Sequence, residues 1–118
     1  MQTVIPQFRI RSAQSSLSFY VDGLGFAVDW KHQFGQGYPL FLQITRLGQS
    51  LFLTEHVGDC EFGGAAYFII PDAKACHSEF LSRGVSSITD PTDTAWGTCE
   101  FQVTDPDGNR LRFASKNQ

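Results

Sequence analysis

The sequence has few basic residues and no cluster of them. Lys and Arg number 9 against 12 Asp and Glu, so the net charge is -3 and the isoelectric point is about 5.4. Proteins that bind nucleic acid concentrate Lys and Arg on one surface, where these side chains displace the counterions of the phosphates. We therefore expect no nucleic-acid partner, and cations are the more favourable ligands for a chain of this charge.

Long apolar runs and paired cysteines are also lacking. No run approaches the length of a membrane helix, and residues 1–6 contain no basic segment followed by an apolar one. We expect a cytoplasmic protein without membrane contact. Cys60, Cys76 and Cys99 are odd in number and widely spaced, which favours neither a disulfide framework nor a zinc knuckle.

Signatures of catalysis are absent as well. The sequence contains no nucleophile elbow, Walker loop, Rossmann glycine run or HExxH motif. A metal site would need three ligands from separate strands, and the available side chains are those of His32, Glu55, His56, Asp59 and His77. Glu55 and His56 are neighbours and would point to opposite faces of a strand. His77 lies within a helical pattern and is predicted to be solvent-exposed. We expect no cofactor.

What the sequence does contain is a strong hairpin signal around the turn Asp105-Pro106-Asp107-Gly108-Asn109. Pro106 sets φ for a turn and Gly108 supplies a positive φ. On the flanking arms Phe101, Val103, Leu111 and Phe113 alternate with polar residues. For these four to share a face, Val103 must oppose Leu111 and Phe101 must oppose Phe113, a register that fits a three-residue turn with a bulge at Gly108.

The two faces of this hairpin differ in polarity. The apolar face is predicted to carry a helix, whereas the other face carries Glu100, Gln102, Thr104 and Arg112 and is predicted to line a wetter space. In the predicted register Gln102 opposes Arg112.

The first half of the chain repeats the second. A shift of 60 residues superposes Phe41 on Phe101, Gly48 on Gly108, Leu51 on Leu111 and Leu53 on Phe113. A shift of 59 superposes Gly25 on Gly84, each just after a short helical pattern. This duplication predicts an α+β fold in which the order βαβββ occurs twice, within a single domain 1–118 made of modules of about 1–57 and 63–118.

Several features suggest a ligand site. Pro6 predicts that the first strand is an edge strand or leaves its own subunit. Trp30, His32 and Phe34 share one face of the next strand by period two. Tyr38 follows Gly35-Gln36-Gly37 and Trp96 precedes Gly97, and rings on glycine-containing loops often contact ligands. Packing in the core is the alternative role for these rings.

The duplicated order, the run Ser16-Leu17-Ser18-Phe19-Tyr20 to Leu24-Gly25-Phe26 and the turn 105–109 resemble the vicinal oxygen chelate superfamily over nearly the whole chain. The superfamily includes glyoxalase I, extradiol dioxygenases, fosfomycin-resistance transferases and bleomycin-resistance proteins. The resemblance implies that each module forms a curved sheet and that paired modules enclose a cavity. It also places Ile5, Ala65 and Arg112 where the enzymes have metal ligands. None is a usual ligand, and a guanidinium repels a cation.

The chain is most similar to the bleomycin-resistance branch, through Pro6, Trp30 and Trp96-Gly97. This resemblance implies a homodimer, with the first strand exchanged between subunits. It further implies sequestration of a flat cationic antibiotic of the bleomycin type in two clefts at the dimer interface, without catalysis or metal. The predicted ligand-binding residues are Trp30, Phe34, Tyr38, Phe52, Trp96, Glu100, Gln102 and Arg112. Candidates for an acidic lining are Glu55, Asp59, Glu61 and Asp93.

Two alternatives stay open at this point. One is a metal-dependent lyase, dioxygenase or transferase of the same superfamily, with a displaced site built from His32 and His56. The other is a binder of a different aromatic or cationic small molecule, related to the resistance proteins only in fold.

Overall fold

The computed structural model describes residues 2–117, so the first and last residues of the predicted domain lie outside it. The elements follow the order strand, helix and three strands twice. They are β1 (Gln7–Arg9), α1 (Ala13–Leu17) with a π-helical continuation (Ser18–Gly23), β2 (Ala27–Gln33), β3 (Leu40–Arg46), β4 (Gln49–Thr54), β5 (Ala65–Ile69), α2 (Ala73–Ser82), β6 (Thr92–Asp93), β7 (Thr98–Thr104) and β8 (Arg110–Lys116). The predicted α+β fold with two βαβββ modules is confirmed.

Each module forms one four-stranded sheet. The strand orders are β1-β4-β3-β2 and β5-β8-β7-β6, so the two sheets repeat the same topology. The first strand of each module pairs in parallel with the last, and the remaining pairs are antiparallel. None of the helices in the described part of the chain is long and apolar enough to cross a membrane.

The helices begin and end where the sequence indicates. The Ser12 side chain accepts a hydrogen bond from the Ser15 N–H at the start of α1, and Asp72 accepts one from the Ala75 N–H at the start of α2. These acceptors satisfy N–H groups that have no partner within the helix. Gly25 and Gly84 then leave the helical segments with φ of 75° and 89°, a conformation that glycine adopts at little cost.

The second hairpin has the predicted register. Val103 pairs with Leu111, Phe101 with Phe113 and Gln102 with Arg112. Asp105 N–H donates to Asn109 O across the three intervening residues at 2.8 Å, and Gly108 has a φ of 84°. The local sequence therefore determines both the turn and the pairing of its arms.

The first hairpin has a shorter turn. Arg46 pairs with Gln49, and only Leu47 and Gly48 lie between them, both with positive φ. Because this turn is one residue shorter, the residue of β3 that corresponds to Phe101 is Leu42, which is fully buried. The superposition of Phe41 on Phe101 was therefore wrong. A one-residue difference in register exchanges the two faces of a strand.

One face of each sheet packs against the helices. The buried side chains on the first sheet include Leu42, Ile44, Leu51 and Leu53, and those on the second include Val103, Leu111 and Phe113. In the second half the Phe101 and Phe113 rings stack 5.4 Å apart, and Phe80 of α2 meets both rings edge-on. These apolar contacts bury one face of each sheet and leave the opposite face open.

His77 belongs to this core, and the prediction that it is solvated was wrong. Its side chain packs edge-on against Phe101 with 5.2 Å between ring centroids, and the residue is only 8% exposed. Its buried Nε2 atom has no hydrogen-bond partner. The helical pattern could not show this burial, because the contact is with Phe101 on β7, more than twenty residues away in the sequence.

β1 is an edge strand, as Pro6 predicted. The strand pairs with β4 of its own chain, where Pro6 O accepts a hydrogen bond from the Phe52 N–H at 2.9 Å. Upstream, the Gln2 amide exchanges two hydrogen bonds with the Ser50 backbone. Exchange of this segment between subunits stays a prediction.

Candidate functional site

The open face of the first sheet is rich in aromatic side chains. Trp30 stacks on Phe41 with the ring planes 14° apart and 5.9 Å between centroids. Phe52 meets both rings, at 5.8 Å from Trp30 and 4.9 Å from Phe41. Gln43 of β3 pairs with both Trp30 and Phe52, and Phe41 lies two residues from Gln43 on the same strand, so the three rings lie on one side of the sheet. We call Trp30, Phe41 and Phe52 the aromatic platform.

Phe34 extends the platform toward two histidines. Its ring, from a residue that is 72% exposed, meets His32 edge-on at 4.5 Å and His56 edge-on at 5.8 Å. The phenyl ring therefore contacts both imidazoles. Within residues 2–117, no group of three or more His, Cys, Asp and Glu side chains is placed to hold a metal ion. The donor set does not fit the displaced metal site considered above.

A cavity of about 370 Å³ opens on this face. It is lined by Trp30, His32, Phe34, Phe41, His56 and Asp59, and we call it the aromatic cavity. The His56 side chain lines this cavity, but its Nε2 atom is covered by the protein and has no hydrogen-bond partner within residues 2–117. Asp59, which accepts a hydrogen bond from Thr54 Oγ1 at 2.7 Å, supplies negative charge.

The other acidic candidates do not line this cavity. Glu55 instead accepts hydrogen bonds from the Ala13 N–H at 2.7 Å and the Leu40 N–H at 2.9 Å, which fixes the start of α1 to the start of β3. Its role is structural. Glu61 and Asp93 are exposed. Asp59 is thus the acidic candidate that the fold brings to the rings.

Tyr38 lies in the loop between β2 and β3, apart from the cavity lining. It is 58% exposed, and its carbonyl accepts a hydrogen bond from Gln33 Nε2 at 2.6 Å. Its ring packs against Gly35. Its role as a ligand contact remains a prediction.

On the open face of the second sheet, Glu100 joins three donors. The hydroxyl groups of Tyr67 and Thr98 and the indole N–H of Trp96 all donate to Oε2 of Glu100. Arg112 Nη1 lies 3.8 Å from the other carboxylate oxygen. Burial by itself would raise the pKa of the Glu100 carboxyl, but these hydrogen bonds and the Arg112 cation outweigh burial and lower it. Glu100 is therefore an ionised anchor that orients Trp96 and Tyr67.

A second cavity, of about 280 Å³, lies beside this anchor. It is lined by Ala65, Ala66, Tyr67, Gln102, Arg110 and Arg112, and we call it the arginine pocket. Ala65 and Arg112 occupy two of the places where the metal enzymes of the resembled superfamily have ligands. An alanine offers no donor atom and a guanidinium offers only N–H groups, so these residues do not fit a metal.

The structure thus divides the predicted site residues between two sheets. Trp30, Phe34 and Phe52 lie on the face of the aromatic platform, whereas Trp96, Glu100, Gln102 and Arg112 lie on the face of the arginine pocket.

The sequence analysis missed Phe41 and Tyr67 as site residues. The superposition of Phe41 on Phe101 placed it on the face of the core, whereas in the structure Leu42 is buried and Phe41 lines the cavity on the opposite face. Tyr67 is placed opposite Arg112 by the parallel pairing of β5 with β8. Only the topology brings those strands together.

A sequence model described as glyoxalase superfamily protein matches residues 1–118 of the chain. A comparison with curated proteins found no match. Among solved structures, the bleomycin resistance determinant encoded on transposon Tn5 has a TM-score of 0.81 at 20% identity, and all of both chains is covered.

Two further structures contain the drug. A bleomycin-binding protein complexed with bleomycin has a TM-score of 0.78 at 21% identity, over 99% of this chain and 100% of the other. A bleomycin-binding protein from Streptomyces verticillus complexed with copper(II)-bleomycin has a TM-score of 0.71 at 27% identity, over 100% and 98%. The suspected relationship is confirmed, and with a match along its whole length the chain belongs to the glyoxalase superfamily.

Proposed function

We propose that this protein binds a flat, cationic aromatic molecule of the bleomycin type and sequesters it without chemical change. The observation that carries this proposal is the platform of Trp30, Phe41 and Phe52, which is open on one side and has the Asp59 carboxylate at the edge of the same cavity.

The platform is suited to a planar guest. Trp30 is 42% exposed and Phe34 72%, which is unusual for large apolar side chains without a partner. A heteroaromatic ring gains from offset stacking on such faces, and a cation over a ring gains about 0.5–2 kcal/mol. Because the rings already pack on one another, a ligand would meet a surface whose side chains lose little further freedom.

Asp59 gives the cavity its charge preference. A carboxylate beside aromatic faces attracts a cation through both its charge and the rings, and the surroundings are less polar than water. Together these groups favour a flat cation over a neutral or anionic molecule of the same shape.

Two copies of the chain are proposed to complete each cleft, with the aromatic platform of one facing Trp96 and the neighbouring side chains of the other. In support, both faces are open in the single chain, and Trp96 is 66% exposed although Glu100 holds its indole N–H. The edge strand β1, which Pro6 precedes, provides a natural segment for exchange. Sedimentation at micromolar concentration tests the dimer, and a monomer would contradict it.

The side chains at the enzyme-like places support binding without chemistry. Ile5 and Ala65 supply no ligand atom, and Arg112 supplies a positive charge. A stoichiometric divalent ion in protein purified without chelator would overturn this part of the proposal.

Calorimetric titration with metal-free bleomycin tests the ligand. We expect saturable binding at micromolar concentration that Trp30→Ala weakens at least tenfold, because the substitution removes the exposed indole of the platform. The matched control is Leu81→Ala, which removes an exposed apolar side chain from α2 on the opposite side of the sheets and should leave the affinity unchanged.

The outcome shows separately whether bleomycin is the ligand and whether the aromatic cavity is a binding site. Absence of saturable heat removes bleomycin as the ligand. If proflavine, a smaller flat cation, then binds and depends on Trp30, the aromatic cavity stands and its ligand is a different aromatic cation. If neither molecule binds, the proposed function fails.

A further inference from the structure

We propose that the arginine pocket is a second binding site, selective for the carboxylate group of a small organic acid. The pocket lies on the other sheet of the chain from the aromatic cavity and has the opposite charge preference. Its test therefore uses a probe and variants that do not involve the platform.

Strand pairing gathers hydrogen-bond donors at one place. On β8, Arg110 and Arg112 project to the same face, because they are two residues apart in a strand, with about 6.5 Å between their Cα atoms. Arg112 is flanked by Gln102 on β7 and by Tyr67 on β5, each directly opposite in the register. Arg110 faces Ala65 on β5. Four side chains with N–H or O–H groups therefore surround one opening.

Two of these four side chains have no partner in the described part of the protein, whereas the Tyr67 hydroxyl donates to Glu100. Across residues 2–117, the Arg110 side chain forms no ion pair and the Gln102 side chain donates no hydrogen bond. Arg112 has one acidic neighbour, Glu100, at 3.8 Å, which is long for an ion pair. Because three other groups already donate to Glu100, its charge only partly offsets the two guanidinium groups.

Two like charges on one strand face repel each other, and an anion between them removes that cost. A guanidinium presents parallel N–H groups that match the two oxygens of a carboxylate. The planar group of Arg112 lies 5.9 Å from the centroid of the Tyr67 ring, which restrains its orientation. The pocket therefore offers a guanidinium group that is held in one orientation beside an aromatic ring.

The space also fits a small acid. The cavity of about 280 Å³ is bounded on the β5 side by Ala65 and Ala66, whose methyl groups leave room above the strand. Tyr67 is 47% exposed, so its ring edge is available to an apolar part of the ligand. A carboxylate attached to a short or aromatic body satisfies both features.

Benzoate and benzamidinium provide a matched pair of probes, since the two have the same ring and planar head groups of opposite charge. In titrations of ¹⁵N-labelled protein followed by NMR, we expect benzoate to shift the Arg110 and Arg112 Nε–H signals and the amides of 65–67 in a saturable way. The dissociation constant should be on the order of 1 mM, as one bidentate charged contact supplies. Benzamidinium should leave these signals unchanged.

Substitutions of the two arginines show whether their guanidinium groups bind the carboxylate. Arg110→Gln and Arg112→Gln should each weaken benzoate binding by about tenfold, and Arg112→Lys, which keeps the charge but loses the planar fork, should weaken it by a similar factor. Lys74→Gln removes the same charge from α2 and should have no effect. Both arginines are exposed, so these variants should fold, which circular dichroism checks.

Three results would overturn the proposal. These are unsaturable benzoate shifts, equal shifts with benzamidinium, or benzoate binding that is unaffected by both glutamine variants. These results concern benzoate and the two arginines, whereas the test of the proposed function concerns bleomycin and Trp30. The two proposals can therefore fail or stand separately.

Discussion

The Glu100 anchor allows a quantitative prediction. Glu100→Gln keeps the size and shape of the side chain but removes the charge that three donors and one cation share. The amide oxygen can still accept the hydrogen bonds of Tyr67, Thr98 and Trp96, in which case the amide N–H groups face Arg112. The substitution therefore tests the charge of the anchor rather than its packing.

The size of the effect follows from the contacts. A hydrogen bond to a charged group contributes about 1.5–3 kcal/mol, and one between neutral groups about 0.5–1.5 kcal/mol. Neutralising the acceptor of three bonds would thus remove about 3–4.5 kcal/mol if water did not compete for the donors. Trp96 is 66% exposed and Tyr67 47%, so water competes for two of the donors. We expect Glu100→Gln to lower the free energy of unfolding by about 1–2 kcal/mol at pH 7.

The pH dependence provides the sharper test. Because the folded state holds the pKa of Glu100 below its ordinary value of 4.5, the ionised carboxylate stabilises the fold above that value. The contribution is lost as the pH falls from about 4.5 through the lowered pKa of the folded state. The difference in unfolding free energy between wild type and Glu100→Gln should therefore be full at pH 7 and shrink in acid.

Urea unfolding followed by circular dichroism measures this difference. All samples need one protein concentration, because a dimer would make stability depend on it. Glu61→Gln is the control, since it removes the same charge from an exposed side chain and should change stability little at either pH. A difference for Glu100→Gln that is absent at pH 7, or that persists undiminished at about pH 3.5, would refute the anchoring role.

Three further substitutions probe the fold by the same unfolding measurement. Leu47→Asn should stabilise the protein by about 0.5–1 kcal/mol, because Leu47 has a φ of 48° in a two-residue turn before Gly48; a loss would contradict this. Asp105→Ala should destabilise it by about 3 kcal/mol or more, because the buried carboxylate accepts hydrogen bonds from Tyr20 and from the turn; a change below about 1 kcal/mol would argue against that network. His77→Leu should stabilise it by about 1 kcal/mol, because the buried Nε2 atom has no partner, and destabilisation would show that the imidazole has one.

The second hairpin shows what local sequence can predict. The turn 105–109 and the alternation of Phe101, Val103, Leu111 and Phe113 determined the pairing, because the turn length fixes which residues face each other. The helix boundaries at Ser12 and Asp72 were equally local, since a cap bonds within its own first turn.

The first hairpin shows where the sequence was insufficient. Its turn is one residue shorter than that of its repeat, and this shift moved Phe41 from the core to the aromatic platform. The composition and spacing of β3 were compatible with Phe41 on either face of the strand. The burial of His77 and the structural role of Glu55 were missed for a related reason, since both depend on contacts between elements that are distant in the sequence.

By itself the sequence determined the duplicated βαβββ order, the caps, the second turn and the shared face of Trp30, His32 and Phe34, because these rest on interactions between near neighbours. Tertiary structure decided which rings form the platform, that Tyr67 and Arg112 lie side by side and that Glu100 is an anchor. The physical reason is that β5 and β8 pair in parallel across more than forty residues of chain. No local preference encodes which side chains such a pairing brings together.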